Sequence, residues 1–318
     1  MIFIIIPVFN RRQFTENCLS SLHNQLFKDY RIIVVDDGST DGTSEMITEK
    51  FPKVCVLKGD GNLWWAAATN AGIEYVLKNE AATASDYVLT LNNDLEVNDN
   101  YLQILVSCAA QNPGAILGSV SVDISDPNKL SYCGVSWNRF TAKYHSKAMD
   151  YKYSFQELIS RKQIVDSHML PGRGTLIPMQ VFFEIGLFDS KNFPQYAADE
   201  DFSLNARKNG WKLLVPTGTY LMSHIEAMGT DINSARFSLK YYRNLFFSIK
   251  SPINLKIRYR WAMKNSPLKF FYFILDCIRI GVSVSFISLK NSLHFFPKTN
   301  LRSQMRFEGS KVEKREIV

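Results

Sequence analysis

Short apolar, β-rich runs recur through the first third of the chain, at residues 2–6, 32–35, 54–57 and 87–91. Runs of this length without polar alternation mark strands buried on both faces of a sheet. Between them the apolar positions fall at helical spacing, as in Phe14, Cys18, Leu19, Leu22 and Leu26. Helices are predicted over residues 13–26, from Thr43 to about Phe51, and over 64–77 and 100–111. Strands alternating with helices predict right-handed βαβ units and a doubly wound α/β sheet.

The pattern loosens after that. Residues 115–123 predict one further strand, and 125–163 an aromatic and polar insertion, read as a hairpin over the sheet edge. Residues 166–179 resemble a strand broken by Pro171-Gly172-Arg173-Gly174, and 186–189 a turn. A helix opens at Asp199 with three carboxylates in its first turn and ends near Gly210; short strands follow at 213–215 and 220–224.

Three acidic or polar pairs each end a strand or open a helix: Asp36 with Asp37, Asn93 with Asp94, and Glu200 with Asp201. In an open α/β sheet the ligand crevice lies beyond the carboxyl ends of the strands. A carboxylate after the second strand can accept the imide N–H of a uracil or thymine ring. Asp94 can hold a divalent ion that bridges two phosphates and neutralises a departing nucleotide diphosphate. Asp201, at a helix start, can take a proton from an attacking hydroxyl. Gly172-Arg173-Gly174 brings backbone and a guanidinium toward the same space, and His224 at a strand end suits a further metal ligand. Each feature also has a plainer reading. Asn and Asp favour turns, acids suit helix starts, and a Trp64-Trp65 pair or a lone histidine can simply pack.

The order of the pieces is more specific than any one of them. "IIIPVFNRR", "VVDDGSTDGT", the "NND" after a buried strand, "GRGTLIP", "GLFD", "DEDFSLNARKNG" and a later "SH" resemble the family 2 glycosyltransferases with the GT-A fold, over about residues 1–250. The resemblance implies a doubly wound, Rossmann-like mixed sheet that binds a UDP- or dTDP-sugar. It implies donor contacts from Pro7, Phe9, Asn10, Arg12, Asp37, Asn70, Asn93, Arg173 and Gly174. Asp94 becomes the metal ligand, for Mg2+ or Mn2+, with His224 assisting. Asp201 becomes the general base of an inverting displacement, with Arg207 the arginine that follows it. Trp64, Trp65 and Glu200 are acceptor-side candidates. "GDGNLWWAAATNAGI" is similar to rhamnosyl- and related transferases, which points to dTDP-rhamnose or a UDP-hexose such as galactose or galactofuranose. Two departures stand out. Asn92 replaces the first acid of the metal motif, and Ser203 replaces a second acid after the base.

Charge then divides the chain. Residues 240–318 carry 16 Lys+Arg against 4 Asp+Glu, whereas residues 1–239 carry 21 against 26. A uniformly basic nucleic-acid binder would not divide this way, so no nucleic-acid partner is expected. The five cysteines are scattered without a CxxC pair, as buried thiols in a reducing compartment would be. The opening apolar run lacks the basic segment and length of a signal peptide and is expected to be a strand. Residues 267–289 are apolar except for Lys269, Asp276 and Arg279, with the last two at pairing distance on a helix. An interfacial, amphipathic helix on anionic lipid is preferred to a membrane span, the plainer alternative being a helix packed on the catalytic domain.

The expected layout is a catalytic domain at 1–238, with a nucleotide-sugar half at 1–112 and an acceptor half at 113–238. A membrane-associating helical extension covers 239–303, and a disordered tail covers 304–318. The expected activity is transfer to a lipid-linked glycan for surface polysaccharide such as O-antigen, at the cytoplasmic face of the plasma membrane. The rival readings are a nucleotidyltransferase, which would need a glycine-rich phosphate loop where "PVFNRRQF" has no glycine, and a non-catalytic sugar- or lipid-binding module.

Overall fold

The apolar runs become the middle of one large sheet. The computed structural model describes residues 1–224 and 239–293, so the tail expected to be disordered lies outside the described residues. Strands β1 (Ile2–Val8), β2 (Tyr30–Asp36), β3 (Cys55–Lys58) and β4 (Tyr87–Thr90) are parallel, and helices α1 (Arg12–His23), α2 (Thr43–Lys50) and α3 (Trp64–Asn79) connect them. All residues of β1 except Pro7 are buried, as a strand covered on both faces requires. Helix α3 lies close on this sheet because Gly72 carries no side chain. A Cβ there would stand 2.6 Å from Ile5 Cγ2.

After β4 the chain leaves the large sheet. It forms β5 (Leu95–Val97), α4 (Tyr101–Gln111), β6 (Ala115–Leu117), β7 (Val120–Asp123), β8 (Asp126–Tyr132), β9 (Val135–Trp137) and β10 (Tyr144–Ser146). Next come α5 (Phe155–Arg161), β11 (Ile164–Asp166), β12 (Thr175–Pro178), α6 (Met179–Ile185), α7 (Ala198–Lys208), β13 (Lys212–Pro216) and β14 (Tyr220–Ser223). The large sheet runs β11-β13-β6-β12-β4-β1-β2-β3, and β12 enters antiparallel beside β4, so the sheet is mixed. A smaller sheet, β5-β14-β7-β8, stands beside it.

The single strand expected over 115–123 is two strands in different sheets, parted at Gly118-Ser119. The expected hairpin in 125–163 is the short β9–β10 pair, with β8 belonging to the small sheet.

Helices α8 (Leu239–Phe247), α9 (Leu255–Asn265) and α10 (Phe270–Leu293) follow. They pack on the catalytic domain. Ile257, Trp261, Ala262 and Tyr272 join the main hydrophobic core, and the Trp137 indole N–H donates to the Tyr272 hydroxyl at 2.8 Å. Asp276 is fully buried between Arg258, at 2.5 Å, and Arg279, at 2.9 Å, the latter being the i,i+3 pair its spacing suggests. The opposite face of α10 is an exposed apolar stripe of Phe271, Leu275, Ile278, Val282 and Phe286. The helix is long and apolar enough to cross a membrane by length and composition, yet one face is packed on protein.

Candidate active site

A cleft of about 670 Å³ opens beyond the carboxyl ends of β1, β2 and β4. That is the position expected of a ligand crevice in an open α/β sheet. Pro7, Phe9, Asn10, Asp37, Asn93 and Asp94 all face it, together with Trp64 and Trp65. Non-glycine residues held at positive φ cluster at its rim: Asn10 (58°), Arg11 (65°), Trp64 (58°) and Ala197 (70°). Backbone strain of this kind, about 1–3 kcal/mol each, persists where the surroundings over-determine it and is enriched at ligand sites.

The two adjacent acids after β2 have separate duties. Asp36 is turned inward, accepting the Ser39 N–H at 2.8 Å and the Ser44 hydroxyl, and so fixes the start of α2. Asp37 shapes the cleft. It accepts N–H groups from Gly61 (2.9 Å), Leu63 (2.9 Å) and Trp64 (3.2 Å), which folds the loop before α3 around one carboxylate. Asn10 locks the same rim, donating its backbone N–H to Ser39 Oγ at 2.7 Å and accepting the Thr40 N–H at 3.0 Å.

Asp94 sits where the chain crosses from the large sheet to the small one. Its carboxylate accepts Arg11 Nη1 at 3.2 Å. Strand β14 pairs with β5 so that Ser223 faces Leu95, which brings the next residue, His224, beside Asp94; the His224 N–H donates to the Asp94 carbonyl at 3.2 Å. Two residues far apart in sequence are thus brought side by side through their backbones. The His224 ring, however, contacts Glu96 at 2.8 Å and Phe14 edge-on. Among the described residues no group of three His, Cys, Asp or Glu side chains surrounds one point. A single carboxylate facing the cleft still fits Mg2+ or Mn2+, because such ions commonly take one or two protein carboxylates and draw their other oxygens from substrate phosphates and water.

Asn92 has another use. Its amide oxygen accepts the Trp65 indole N–H at 3.0 Å, and the Trp65 ring lies so close to Gly172 that a Cβ there would fall 2.1 Å from Trp65 Cζ2. Trp65 therefore walls the cleft, and the residue that replaces the first metal acid fixes that wall.

Several expected donor contacts lie outside the cleft lining. Arg12 is exposed over the start of α2, its backbone N–H donating to Asp41. Asn70 is buried and clamps the Phe188 backbone through both amide atoms, at 2.8 and 3.0 Å. Gly174 (φ 74°) is tied into the sheet, donating to the Thr90 carbonyl and accepting from Ser119. Arg173 lies one layer deeper, within electrostatic reach of both Asp94 and Asp199.

The acidic turn of α7 is the largest departure from expectation. Asp201 is not at the cleft; its oxygens accept Lys264 Nζ and Asn265 Nδ2 of α9, both at 2.8 Å. Arg207 donates to the Ser167 carbonyl, and Ser203 accepts the Leu170 N–H, so both are structural. Asp199 accepts the Gly172 N–H at 2.6 Å, and burial raises its carboxyl above the ordinary value. Burial foremost, with Asp199 beside it, pushes Glu200 from 4.5 to about 7. The helix N-terminus acts in the opposite sense, so desolvation wins here. Arg11, Gln195 and Lys250 also line the cleft and were not singled out from sequence. Arg11 was visible in "FNRR" but gave no sign of which arginine turns inward.

A mixed sheet with acids converging at its carboxyl rim defines a nucleotide-sugar transferase of the GT-A kind. Residues 3–162 match the family model described as glycosyl transferase family 2, half of the chain, and the chain belongs to that family. It is similar to the N-acetylglucosaminyl-diphospho-decaprenol L-rhamnosyltransferase of Mycobacterium tuberculosis, 23% identical over 275 residues that cover 79% of this chain and 85% of that protein. It is also similar to the GalNAc(5)-diNAcBac-PP-undecaprenol beta-1,3-glucosyltransferase of Campylobacter jejuni, 21% identical over 278 residues, covering 84% and 88%. Among solved structures, residues 1–349 of S. aureus TarS superpose with a TM-score of 0.53 at 14% identity, covering 92% of this chain and 91% of that one. GalNAc-T7 with UDP, GalNAc and Mn2+ superposes with a TM-score of 0.56 at 15% identity, covering 92% and 58%. These superpositions bear on the fold, which is GT-A. The protein is a glycosyltransferase.

Proposed function

We propose that the chain transfers a hexose or deoxyhexose from a UDP- or dTDP-sugar to a hydroxyl of a lipid-linked glycan, with inversion, at the inner face of the plasma membrane. One observation carries the reading: Asp37 and Asp94, from separate strands, face a single cleft whose rim is held by strained backbone. The nucleoside would lie along Pro7, Phe9, Asn10 and Asp37, and the diphosphate near Asp94. A divalent ion held there by Asp94 would supply charge neutralisation for the leaving diphosphate. Arg11, already paired with Asp94, would be released to the phosphates.

The rhamnosyltransferase among the relatives, together with the Trp-rich start of α3, supports dTDP-rhamnose as the first donor to try. Relatives named for diphospho-decaprenol and PP-undecaprenol substrates support a lipid-linked acceptor. The exposed stripe of α10 and the basic balance of residues 240–318 support attachment to an anionic bilayer surface.

The test is a panel of nucleotide sugars with Mg2+ or Mn2+, read as nucleoside diphosphate release. Turnover of one UDP- or dTDP-sugar is expected. Nucleotide binding without turnover of any donor would instead make the chain a binding module.

A further inference from the structure

A bound diphosphate needs donors, and the backbone at this cleft has few left to give. In open α/β sheets an anion commonly takes the free N–H groups that open a helix. The helix opening onto this cleft is α3, whose first residues, Trp64 and Trp65, line it. The N–H groups that begin it are already spent. Those of Leu63 and Trp64 go to Asp37, that of Trp65 to the Gln195 amide oxygen at 3.1 Å, and that of Ala66 to the Pro194 carbonyl at 2.9 Å. At the other rim the Asn10 N–H goes to Ser39 and the Arg12 N–H to Asp41. Holding a diphosphate here therefore falls largely to side chains.

Among the described residues that line the cleft, two are cationic, Arg11 and Lys250. Arg11 enters just before α1 and holds Asp94 at 3.2 Å. Lys250 comes from the turn between α8 and α9. That turn is tied together by its own hydrogen bonds. The Lys250 N–H donates to Ser248 Oγ at 3.2 Å, the buried Ser251 hydroxyl to the Leu245 carbonyl, and Asn254, the cap of α9, to the Ser248 carbonyl at 3.0 Å. Tyr196, itself in the cleft lining, donates its hydroxyl to the Lys250 carbonyl at 3.4 Å. The loop that carries Tyr196 is fixed to α9 in turn. Arg260 Nη1 donates to the Lys191 and Asn192 carbonyls at 3.2 and 3.1 Å, and Lys264 Nζ to Asp189 at 2.7 Å. The backbone of Lys250 is thus set against the cleft wall, and the residue stays exposed there.

We propose that Lys250 is a donor-binding residue whose ammonium group, together with Arg11, contacts the diphosphate of the nucleotide sugar. The assignment rests on the transfer reading above and adds a part to it. The family match ends at residue 162, so helices well beyond it complete the donor site, besides any part they play at the bilayer. The donor's diphosphate is the partner, and not an acceptor's, because Lys250 shares one cleft with Asp37 and Asp94. Lysine suits the task. Its compact charge on a flexible stem can follow a phosphate group as it departs, where a fixed backbone donor could not.

The experiment titrates UDP and dTDP, and separately uridine and thymidine, into the full-length wild type, Lys250→Met and Lys250→Arg, with Mn2+ present. For whichever diphosphate the wild type binds, Lys250→Met should weaken affinity by about tenfold, the worth of one charge-assisted hydrogen bond at an accessible site. Lys250→Arg keeps the charge and should bind within about threefold of wild type. Nucleoside affinity and melting temperature should stay unchanged in both variants, because Lys250 meets Ser248 and Tyr196 through its backbone. A Lys250→Met protein that binds the diphosphate within about threefold of wild type overturns the assignment. Equal loss of nucleoside and diphosphate does so too, since Lys250 would then be a prop of the cleft wall. Unchanged diphosphate affinity with a raised KM for a prenyl diphosphate acceptor moves the contact to the acceptor and likewise overturns it. A wild type that binds neither UDP nor dTDP sinks the transfer reading itself.

Discussion

Two acidic turns of this chain look alike in sequence and behave differently in the fold. Asn92-Asn93-Asp94 ends a strand of the large sheet, and Asp199-Glu200-Asp201 opens α7. The first turn has its direction set by the sheet. It stands at the carboxyl end of β4, between β1 and β12, and its three residues line the cleft. The second sits under α9, which reaches back to claim Asp201 through Lys264 and Asn265. A carboxylate at a strand end can be assigned from local pattern. One at a helix start depends on what packs above it.

That contrast can be broken at several points, the largest effect first. Asp94→Ala is expected to reduce transfer by about 10²–10³-fold, measured as nucleoside diphosphate release, while stability stays within about 0.5 kcal/mol because the Arg11 pair is a surface one. Asp276→Ala works from the other side. It leaves Arg258 buried without its acid, and should lower unfolding free energy by about 3 kcal/mol in denaturant titration and loosen α9 and α10 together. Asp37→Ala should destabilise by about 2 kcal/mol, since three loop N–H groups lose their acceptor, and should abolish nucleotide binding in calorimetry.

Glu200 gives a smaller, pH-dependent signature. Its folded value, about 7, is above the ordinary 4.5, so its protonated form is the one folding favours. Stability from this group is complete below about 4.5 and is lost as pH rises through 7. Melting temperature of wild type relative to Glu200→Gln should therefore fall across that window and level off above it. The mildest test concerns the α10 stripe. Phe271→Ser with Phe286→Ser should reduce co-flotation with anionic vesicles several-fold while leaving the melting temperature unchanged, because both side chains are exposed.

How much could be read from the chain follows the same division. The parallel strands β1, β2 and β4 are legible because burial on both faces leaves a continuous apolar run. The β6–β7 break is hidden, since Gly118-Ser119 interrupts apolar residues without a turn signature, and only the neighbouring Leu170 shows why a glycine is needed there. Asp37 and Asp94 are legible as strand-end acids. Asn70 is not, because its partners, the backbone atoms of Phe188, are remote in sequence. Helix α9 falls within the stretch expected to be helical, with Asn254 capping it and Ile257 and Trp261 on one face. Its hold on Asp201 is not visible locally, because Lys264 and Asn265 stand 63 and 64 residues away in sequence.

The most direct test of the division between the two turns is a calorimetric titration of UDP and dTDP, with Mn2+ present, into wild type, Asp94→Asn and Glu200→Gln. Asp94→Asn should weaken nucleotide binding at least tenfold, while Glu200→Gln should bind as wild type does. Equal weakening in both variants, or loss in Glu200→Gln alone, would contradict it.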